Sequence, residues 1–214
     1  MKDRNRIAQS IASRLADARP VRHLIVIGNL CHTLVAVLFE QSWRIDEVRV
    51  HTLVQTLALP DTGVVPDFGV SLFNHAPVPA REQAMQDRIV EELSPFLPEL
   101  QALGSPSAVA LRLASHPGST RLVRRAQKVA HAAARAGRFD MAIEFLQRCR
   151  SLALDLKCEN APYMLPSWEL EERIRGDRES VPARLREWED QTAAALKLTK
   201  LRQDDLDRYG PDGP

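Results

Sequence analysis

The stretch 133–146, AARAGRFDMAIEFL, decides the fold of the longest regular part of the chain. Small and apolar residues before Gly137 continue the helical period of the preceding segment, and Phe139 opens a second helical run. Glycine suits the left-handed backbone conformation that commonly ends a helix. The pattern therefore predicts two helices, over about 120–136 and 139–156, joined by a short turn at Gly137.

Helical patterns continue on both sides of this hairpin. Apolar residues at helical spacing predict further helices over about 107–115, 167–176 and 181–208. Prolines and a glycine interrupt 94–107, which favours a boundary there. We therefore predict a C-terminal helical bundle over 107–208 and a frayed tail at 209–214. An N-terminal helical layer with a β-hairpin would cover 1–100, although one compact unit is the alternative.

The N-terminal part mixes helical and β patterns. Helices are predicted over 5–18 and 81–93, where apolar residues recur on one side. The segment 21–42 is predicted as one long buried helix, because its polar residues fall on roughly one helical face. The alternative is a strand, Leu24–Ile27, that turns at Gly28 into a helix.

Two short segments follow the period of a β-strand. Residues 48–54 partly alternate apolar and polar side chains, and residues 68–73 alternate large apolar with small ones. They predict an antiparallel pair. The fold class predicted is mainly α, of the α+β type: a helical bundle with a small antiparallel β element near 46–74 and a helical hairpin.

The composition limits the cellular compartments and the classes of partner that we expect. The chain has 44% hydrophobic and 27% charged residues, which are ordinary values for a globular protein. With 29 basic and 28 acidic side chains, no net charge attracts the whole molecule to nucleic acid or membrane. Three cysteines without a C-x-x-C pair, Cys31, Cys149 and Cys158, favour reduced thiols and a cytoplasmic location. We expect neither a secretory signal nor a bilayer span.

The helical hairpin resembles the middle of a tetratricopeptide repeat over about 121–153. Val129, Ala130, Gly137, Phe139 and Ala142 match the small, glycine, aromatic and packing positions of that family. No second copy is present, and the proline that the family has after its second helix is missing near Leu154. The resemblance implies a helical hairpin and a protein-binding role.

The N-terminal half is faintly similar to small bacterial immunity proteins, which block a partner toxin. The similarity rests on the order of a helix, an apolar segment, Trp43-Arg44 and a hairpin with Gln55 and Phe68. It implies a bacterial origin and a protein partner.

Kinase chemistry is not indicated, although Asp67-Phe68-Gly69 spells the metal-binding tripeptide of protein kinases. A kinase also needs a glycine-rich loop, a strand lysine and a His-Arg-Asp catalytic loop, and the sequence has none of them. The six histidines lack the H-x-x-x-H spacing that places two imidazoles on one helical face. We predict no metal and no cofactor.

Other reactive residues are given structural roles. Cys31 and His32 would be neighbours on a helix and would not face each other, which predicts a buried thiol beside a helix-surface histidine. The acidic clusters at 169–172 and 187–190 are predicted to be solvated helix faces with local ion pairs. We therefore predict that the protein is not an enzyme.

A basic row on the first helix of the hairpin is the candidate partner-binding site. Between residues 112 and 150 there are nine arginines and lysines and two acidic residues. The row consists of Arg124, Lys128, Arg135 and Arg138, with His131 among them, opposite an apolar stripe. It could contact an acidic protein, phosphates, or the acidic C-terminal helices of the same chain.

The function predicted is that of a non-enzymatic protein–protein interaction module, such as a bacterial adaptor, chaperone or immunity factor. Its partner would be a protein with an acidic surface. The alternative is a nucleic-acid-binding regulator that uses the basic row, but aromatic stacking groups are not interleaved with the arginines.

Overall fold

The computed structural model describes residues 2–28, 30–44, 46–60, 64, 68–103, 105–116 and 118–201. Four strands lie within these ranges: β1 (Ala18–Val21), β2 (Leu24–Ile27), β3 (Thr33–Gln41) and β4 (Val48–Thr56). The same ranges hold eight α-helices: α1 (Lys2–Ala12), α2 (Gln83–Leu93), α3 (Leu97–Ala102), α4 (Pro106–Ser115), α5 (Val123–Arg135), α6 (Phe139–Asp155), α7 (Leu165–Gly176) and α8 (Val181–Ala195). The predicted class, mainly helical with a small antiparallel sheet, is confirmed.

The chain divides into two compact units. The first unit comprises Met1–Leu30, Leu34–Val54 and Val65–Leu103. The second comprises Cys31–Thr33, Gln55–Val64 and Gly104–Pro214. Two short segments from the N-terminal half therefore belong to the C-terminal unit, and sequence order alone does not indicate this.

The first unit is built on an antiparallel sheet in the order β1-β2-β3-β4. In the pairing of β2 with β3, Leu24 lies opposite Leu38 and Ile25 lies opposite Val37. Helix α1 packs against β1, β2 and α2. The Ser10 hydroxyl donates a 2.7 Å hydrogen bond to the Gln86 side chain, which joins α1 to α2.

The long helix predicted over 21–42 is wrong, because β2 and β3 occupy that segment. The alternative strand at Leu24–Ile27 is confirmed, but the helix expected after it is also a strand. Successive side chains of a strand point to opposite faces, and all four of β2 are buried. A strand that is buried on both faces has no alternating pattern, so it resembles a buried helix in sequence.

The predicted β element near 46–74 is confirmed in its first strand and wrong in its second. Residues 48–54 lie within β4, whereas 68–73 contribute only an isolated bridge between His51 and Ser71. Part of the turn that joins these segments, at 61–63 and 65–67, lies outside the described residues. Asp67 of the kinase-like tripeptide is one of the residues outside the described ranges.

Gly69 lies where the chain crosses the outer edge of β4. The backbone amide of Thr52 donates a 2.9 Å hydrogen bond to the carbonyl of Val70, and the amide of Val70 donates a 2.8 Å bond to the Thr52 hydroxyl. A Cβ atom on Gly69 would lie 1.5 Å from the carbonyl oxygen of Thr52. Only glycine fits this approach between two backbones.

The second unit is a bundle of α4 to α8 around α5. Helix α5 packs against α4, α6, α7 and α8, and every residue from 126 to 134 is buried. The predicted helices over 107–115, 120–136, 139–156 and 167–176 are confirmed with small shifts at their ends. Helix α8 ends at Ala195, whereas the helix predicted over 181–208 continued further. Residues 202–208 and the predicted tail at 209–214 lie outside the described residues.

The turn between α5 and α6 forms as the sequence predicts. Gly137 has a φ of +70°, and the amide of Arg138 donates a 2.9 Å hydrogen bond to the carbonyl of Ala133. Ala130 and Ala142 are fully buried in this hairpin. Small side chains let two helix backbones approach closely.

Within the described residues, none of the helices has the length and apolarity that crossing a membrane requires.

Candidate functional site

The basic row predicted on α5 is not a continuous exposed surface. Lys128 is 1% exposed and His131 is fully buried, whereas Arg124 and Arg135 are half-buried and Arg138 is exposed. Amphipathic spacing identifies the polar face of a helix but does not say whether that face meets water. Here the polar face lies inside the unit, against polar groups from other segments.

These inward-facing residues form what we call the α5 seam: Gln127, His131 and Arg135, spaced four apart on one helical face. Buried polar groups need hydrogen-bond partners, since an unsatisfied one costs about 1–3 kcal/mol. Residues from Cys31–Thr33, from Gln55–Val64, from α7 and from α8 supply the partners.

At the C-terminal end of the seam, Arg135, Glu189 and His32 form a closed triangle. Arg135 Nε donates to Glu189 Oε1 at 3.0 Å, and His32 Nδ1 lies 3.0 Å from the same oxygen. Arg135 Nη2 lies 3.2 Å from His32 Nε2. The Glu189 side chain is 0% exposed. The pairing with acidic C-terminal helices that the sequence left open is therefore present at Arg135.

The Arg135 guanidinium is the common donor of the triangle, because an arginine only donates hydrogen bonds. Its Nε lies 3.0 Å from Glu189 Oε1 and 3.1 Å from His32 Nδ1, so one hydrogen is shared between the carboxylate and the ring.

The middle of the seam is centred on His131. Its Nδ1 lies 2.9 Å from the carbonyl oxygen of Ala58, and its Nε2 lies 3.3 Å from the hydroxyl of Ser167. The Gln127 amide donates to the same hydroxyl at 3.0 Å and to the carbonyl of Tyr163 at 2.9 Å. Burial lowers the pKa of His131 to about 4, although its bond to Ala58 opposes the shift.

The lowered pKa of His131 predicts that the second unit loses stability in acid. An unfolded histidine has a pKa of 6.5, so below that pH the unfolded chain binds a proton that the folded chain refuses until about pH 4. Falling pH should therefore cost about 3 kcal/mol of unfolding free energy across that window. Urea unfolding at about pH 7.5 and about pH 4.5 measures the loss.

The matched variants for this test are His131→Gln, which keeps polar atoms but does not titrate, and His75→Asn, which changes an exposed histidine. The pH-dependent loss should shrink in His131→Gln and persist in His75→Asn. Equal losses in wild type and His131→Gln would contradict the assignment.

The seam holds segments of the second unit together, and its reactive groups are buried. Cys31 and His32 are both buried, so the prediction of a helix-surface histidine is wrong; His32 lies just before β3 and not on a helix. Burial raises the pKa of the Cys149 thiol to about 12, which keeps it protonated and unreactive at neutral pH. No cluster of three or more His, Cys, Asp or Glu side chains among the described residues could hold a metal ion.

Glu189 is the seam residue that sequence reasoning missed. It was predicted to be solvated with the rest of 187–190, but it is fully buried. A signal existed, since position 189 shares a helical face with Leu185 and Thr192, which are also buried. Its neighbour Glu187 does face solvent and pairs with Arg184 at 2.5 Å.

An exposed tryptophan in the first unit is the second candidate feature. Trp43, in the turn between β3 and β4, is 79% exposed. The guanidinium of Arg44 lies 4.6 Å from the centre of its ring. An exposed indole offers a large, rigid contact area with a polar N–H group, which is the combination that protein interfaces favour.

Described residues on both sides of Trp43 are joined by hydrogen bonds, whereas Ile45 lies outside the described residues. The amide of Ser42 donates to the carbonyl of Glu47 at 3.1 Å, and the Gln41 side chain donates to the carbonyls of Arg44 and Glu47 at 3.1 and 3.3 Å. Arg44 also forms a 3.1 Å ion pair with Glu47. The residues that flank the indole are therefore held by hydrogen bonds and an ion pair.

Comparisons with known proteins identify no family for this chain. No family model, no curated protein and no solved structure matches the chain. The resemblances to tetratricopeptide repeats and to immunity proteins therefore stay predictions, and a functional proposal must rest on the residues themselves.

Proposed function

We propose that this protein is a non-enzymatic protein-binding module and that Trp43 is its anchor. The observation that supports this proposal is the 79% exposure of an indole on a hydrogen-bonded turn. A tryptophan buries about 150–250 Å² at an interface, and tryptophan and arginine are the most frequent interface hot spots. Hydrogen bonds between the residues that flank Trp43 also reduce the entropy that binding must overcome.

The partner is a protein with an acidic surface around an apolar pocket. Arg44 is 59% exposed and lies over the Trp43 ring, so a docking partner meets the indole and a cation together. Carboxylates at the rim of the pocket would pair with the guanidinium and accelerate association.

The ends of the basic row, in the second unit, offer cationic groups of their own to an acidic protein. Arg124 is half-buried and Arg138 is exposed, whereas Lys128 is buried and Arg135 is paired with Glu189. Removing Lys128 or Arg135 would therefore test the fold of the second unit as much as binding. The nucleic-acid alternative also depends on Arg124 and Arg138, and salt dependence separates the two.

The two family resemblances fit this function. In the α5–α6 hairpin, the positive φ of Gly137 and the buried Ala130 and Ala142 agree with a tetratricopeptide-like unit. Trp43-Arg44 belongs to the part of the chain that is similar to bacterial immunity proteins. We place the protein in the bacterial cytoplasm as an adaptor, chaperone or immunity factor, where its three cysteines would stay free thiols.

Partner capture with a Trp43 variant tests the proposal. Wild-type protein should retain a stoichiometric partner from cells of its source, identified by mass spectrometry and then purified. Trp43→Ala should weaken the purified complex by about thirtyfold or more, because truncating a hot spot costs about 2 kcal/mol or more. Arg44→Glu should mainly slow association, and an added acidic-to-basic change in the partner should restore the rate.

The matched control is Leu156→Ala, which trims a side chain that is 67% exposed in the second unit. Both positions are exposed, so both variants should keep their stability within about 0.5 kcal/mol. The proposal fails if Trp43→Ala binds the partner as wild type does. Capture that vanishes after nuclease treatment, with a steep salt dependence lost in Arg124→Ala/Arg138→Ala, would favour the nucleic-acid alternative.

A further inference from the structure

A groove in the first unit, distinct from the Trp43 turn, lies between the segment after β4 and helix α2. Its volume is about 490 Å³, which falls within the range of small-molecule sites. Phe73, Val78 and Phe96 give it an apolar wall, while Ser71, Arg88 and Glu92 add polar groups.

The backbone along one wall of the groove is strained. Phe73, Asn74 and His75 have φ values of +54°, +51° and +66°, so three consecutive residues with side chains take the left-handed conformation. Glycine adopts this region without strain, whereas a bulky aromatic residue seldom does. Strain of this kind persists where the surrounding structure holds it, and it is concentrated at binding sites.

Two side chains of opposite charge line the groove without pairing. Arg88 and Glu92 are four apart on α2, so both project from the same helical face. Neither forms an ion pair with another described residue; the Arg88 guanidinium instead lies 5.4 Å from the centre of the Phe73 ring. The groove therefore offers a cation and an anion at neighbouring positions above an aromatic surface.

One wall also contains a polar atom that lacks a partner. Ser71 lines the groove, and its buried Oγ forms no hydrogen bond with any described residue. Such atoms are rare in folded proteins. A small shift of the wall around a polar ligand would supply the missing hydrogen bond.

We propose that this groove binds the zwitterion of an α-amino acid with an apolar side chain. Arg88 receives the α-carboxylate through charge-assisted hydrogen bonds, and Glu92 receives the α-ammonium group. The apolar side chain packs on Phe73, Phe96 and Val78. Because Arg88 and Glu92 are exposed, the affinity is weak, with a dissociation constant expected in the millimolar to high-micromolar range.

Amide chemical-shift titrations with three related probes test the site. L-Phenylalanine carries both charges, L-phenylalaninamide lacks the carboxylate, and N-acetyl-L-phenylalanine lacks the ammonium group. L-Phenylalanine should give saturable shifts at residues 71–78 and along α2. Each modified probe should bind about three- to tenfold more weakly, because it loses one charge-assisted contact.

Charge-removing variants assign each contact. In Arg88→Gln, L-phenylalanine should lose its advantage over L-phenylalaninamide but keep it over N-acetyl-L-phenylalanine. In Glu92→Gln the pattern should reverse. Glu91→Gln, an exposed neighbour that does not line the groove, should bind all three probes as wild type does.

The inference is overturned if L-phenylalanine gives no saturable shift, or if the shifts are confined to other parts of the protein. It is also overturned if the wild-type protein binds all three probes equally. Circular dichroism of each variant confirms that the fold is kept, since all three changes are on the surface. Partner capture by Trp43 is measured separately, so failure of either proposal leaves the other standing.

Discussion

Replacing Gly69 with alanine should destabilise the first unit by about 3 kcal/mol or more. The new Cβ would lie 1.5 Å from the carbonyl oxygen and 2.3 Å from the carbonyl carbon of Thr52, and both are backbone atoms of β4. Neither backbone can yield without breaking the hydrogen bonds between Thr52 and Val70. The segment after β4 should therefore detach from the sheet edge and expose it.

Urea unfolding and amide hydrogen exchange of β4 measure this effect. The matched control is Gly176→Ala, at the end of α7, where an added Cβ meets nothing within 4 Å. It should be neutral or stabilise by about 0.5–1 kcal/mol, because alanine loses less conformational entropy on folding. A Gly69→Ala protein as stable as Gly176→Ala would show that the approach to Thr52 is not tight in solution.

Replacing Glu189 with alanine should destabilise the second unit by about 3–5 kcal/mol. The carboxylate is fully buried, and its loss leaves the Arg135 side chain, which is 11% exposed, without its counter-charge. His32 Nδ1 would also lose its 3.0 Å contact with the carboxylate. Breaking a buried pair by removing one member costs more than the pair contributes, because an uncompensated charge stays inside.

The control for this variant lies two residues away on the same helix. Glu187 is 60% exposed and pairs with Arg184 at the surface, so Glu187→Ala should cost about 0–1 kcal/mol. The loss of stability in Glu189→Gln should fall between the losses in Glu189→Ala and Glu187→Ala, since glutamine keeps an acceptor but removes the charge. Denaturant midpoints of the three variants give the order. Equal losses for Glu189→Ala and Glu187→Ala would mean that the triangle does not stabilise the unit.

The helices of the second unit were predictable because helix signals are local. A glycine at position 137 ends one helix and a 3.6-residue apolar period defines the next, and both can be read within a few turns of chain. The strands β2 and β3 were not predictable in the same way, although each pairs with the strand next to it in sequence. Burial on both faces removes the alternation that identifies a strand.

The candidate sites were also predictable only in their local features. The sequence identified the charge of Arg124, Lys128, Arg135 and Arg138 and their common side of α5. It could not show that Lys128 would be buried or that Arg135 would meet His32 and Glu189, which are distant in sequence. A buried counter-charge is a property of the folded unit, because only packing brings segments so distant together.

The sequence by itself determined the helical class, the α5–α6 turn at Gly137 and the polar face of α5, since each follows from backbone preference and periodicity. Only the tertiary structure decided which polar residues face water. It turned His131 and Glu189 inward and left Trp43 at the surface, against their average preferences. Burial depends on which surfaces meet, and the contacts that set it join residues far apart in the chain.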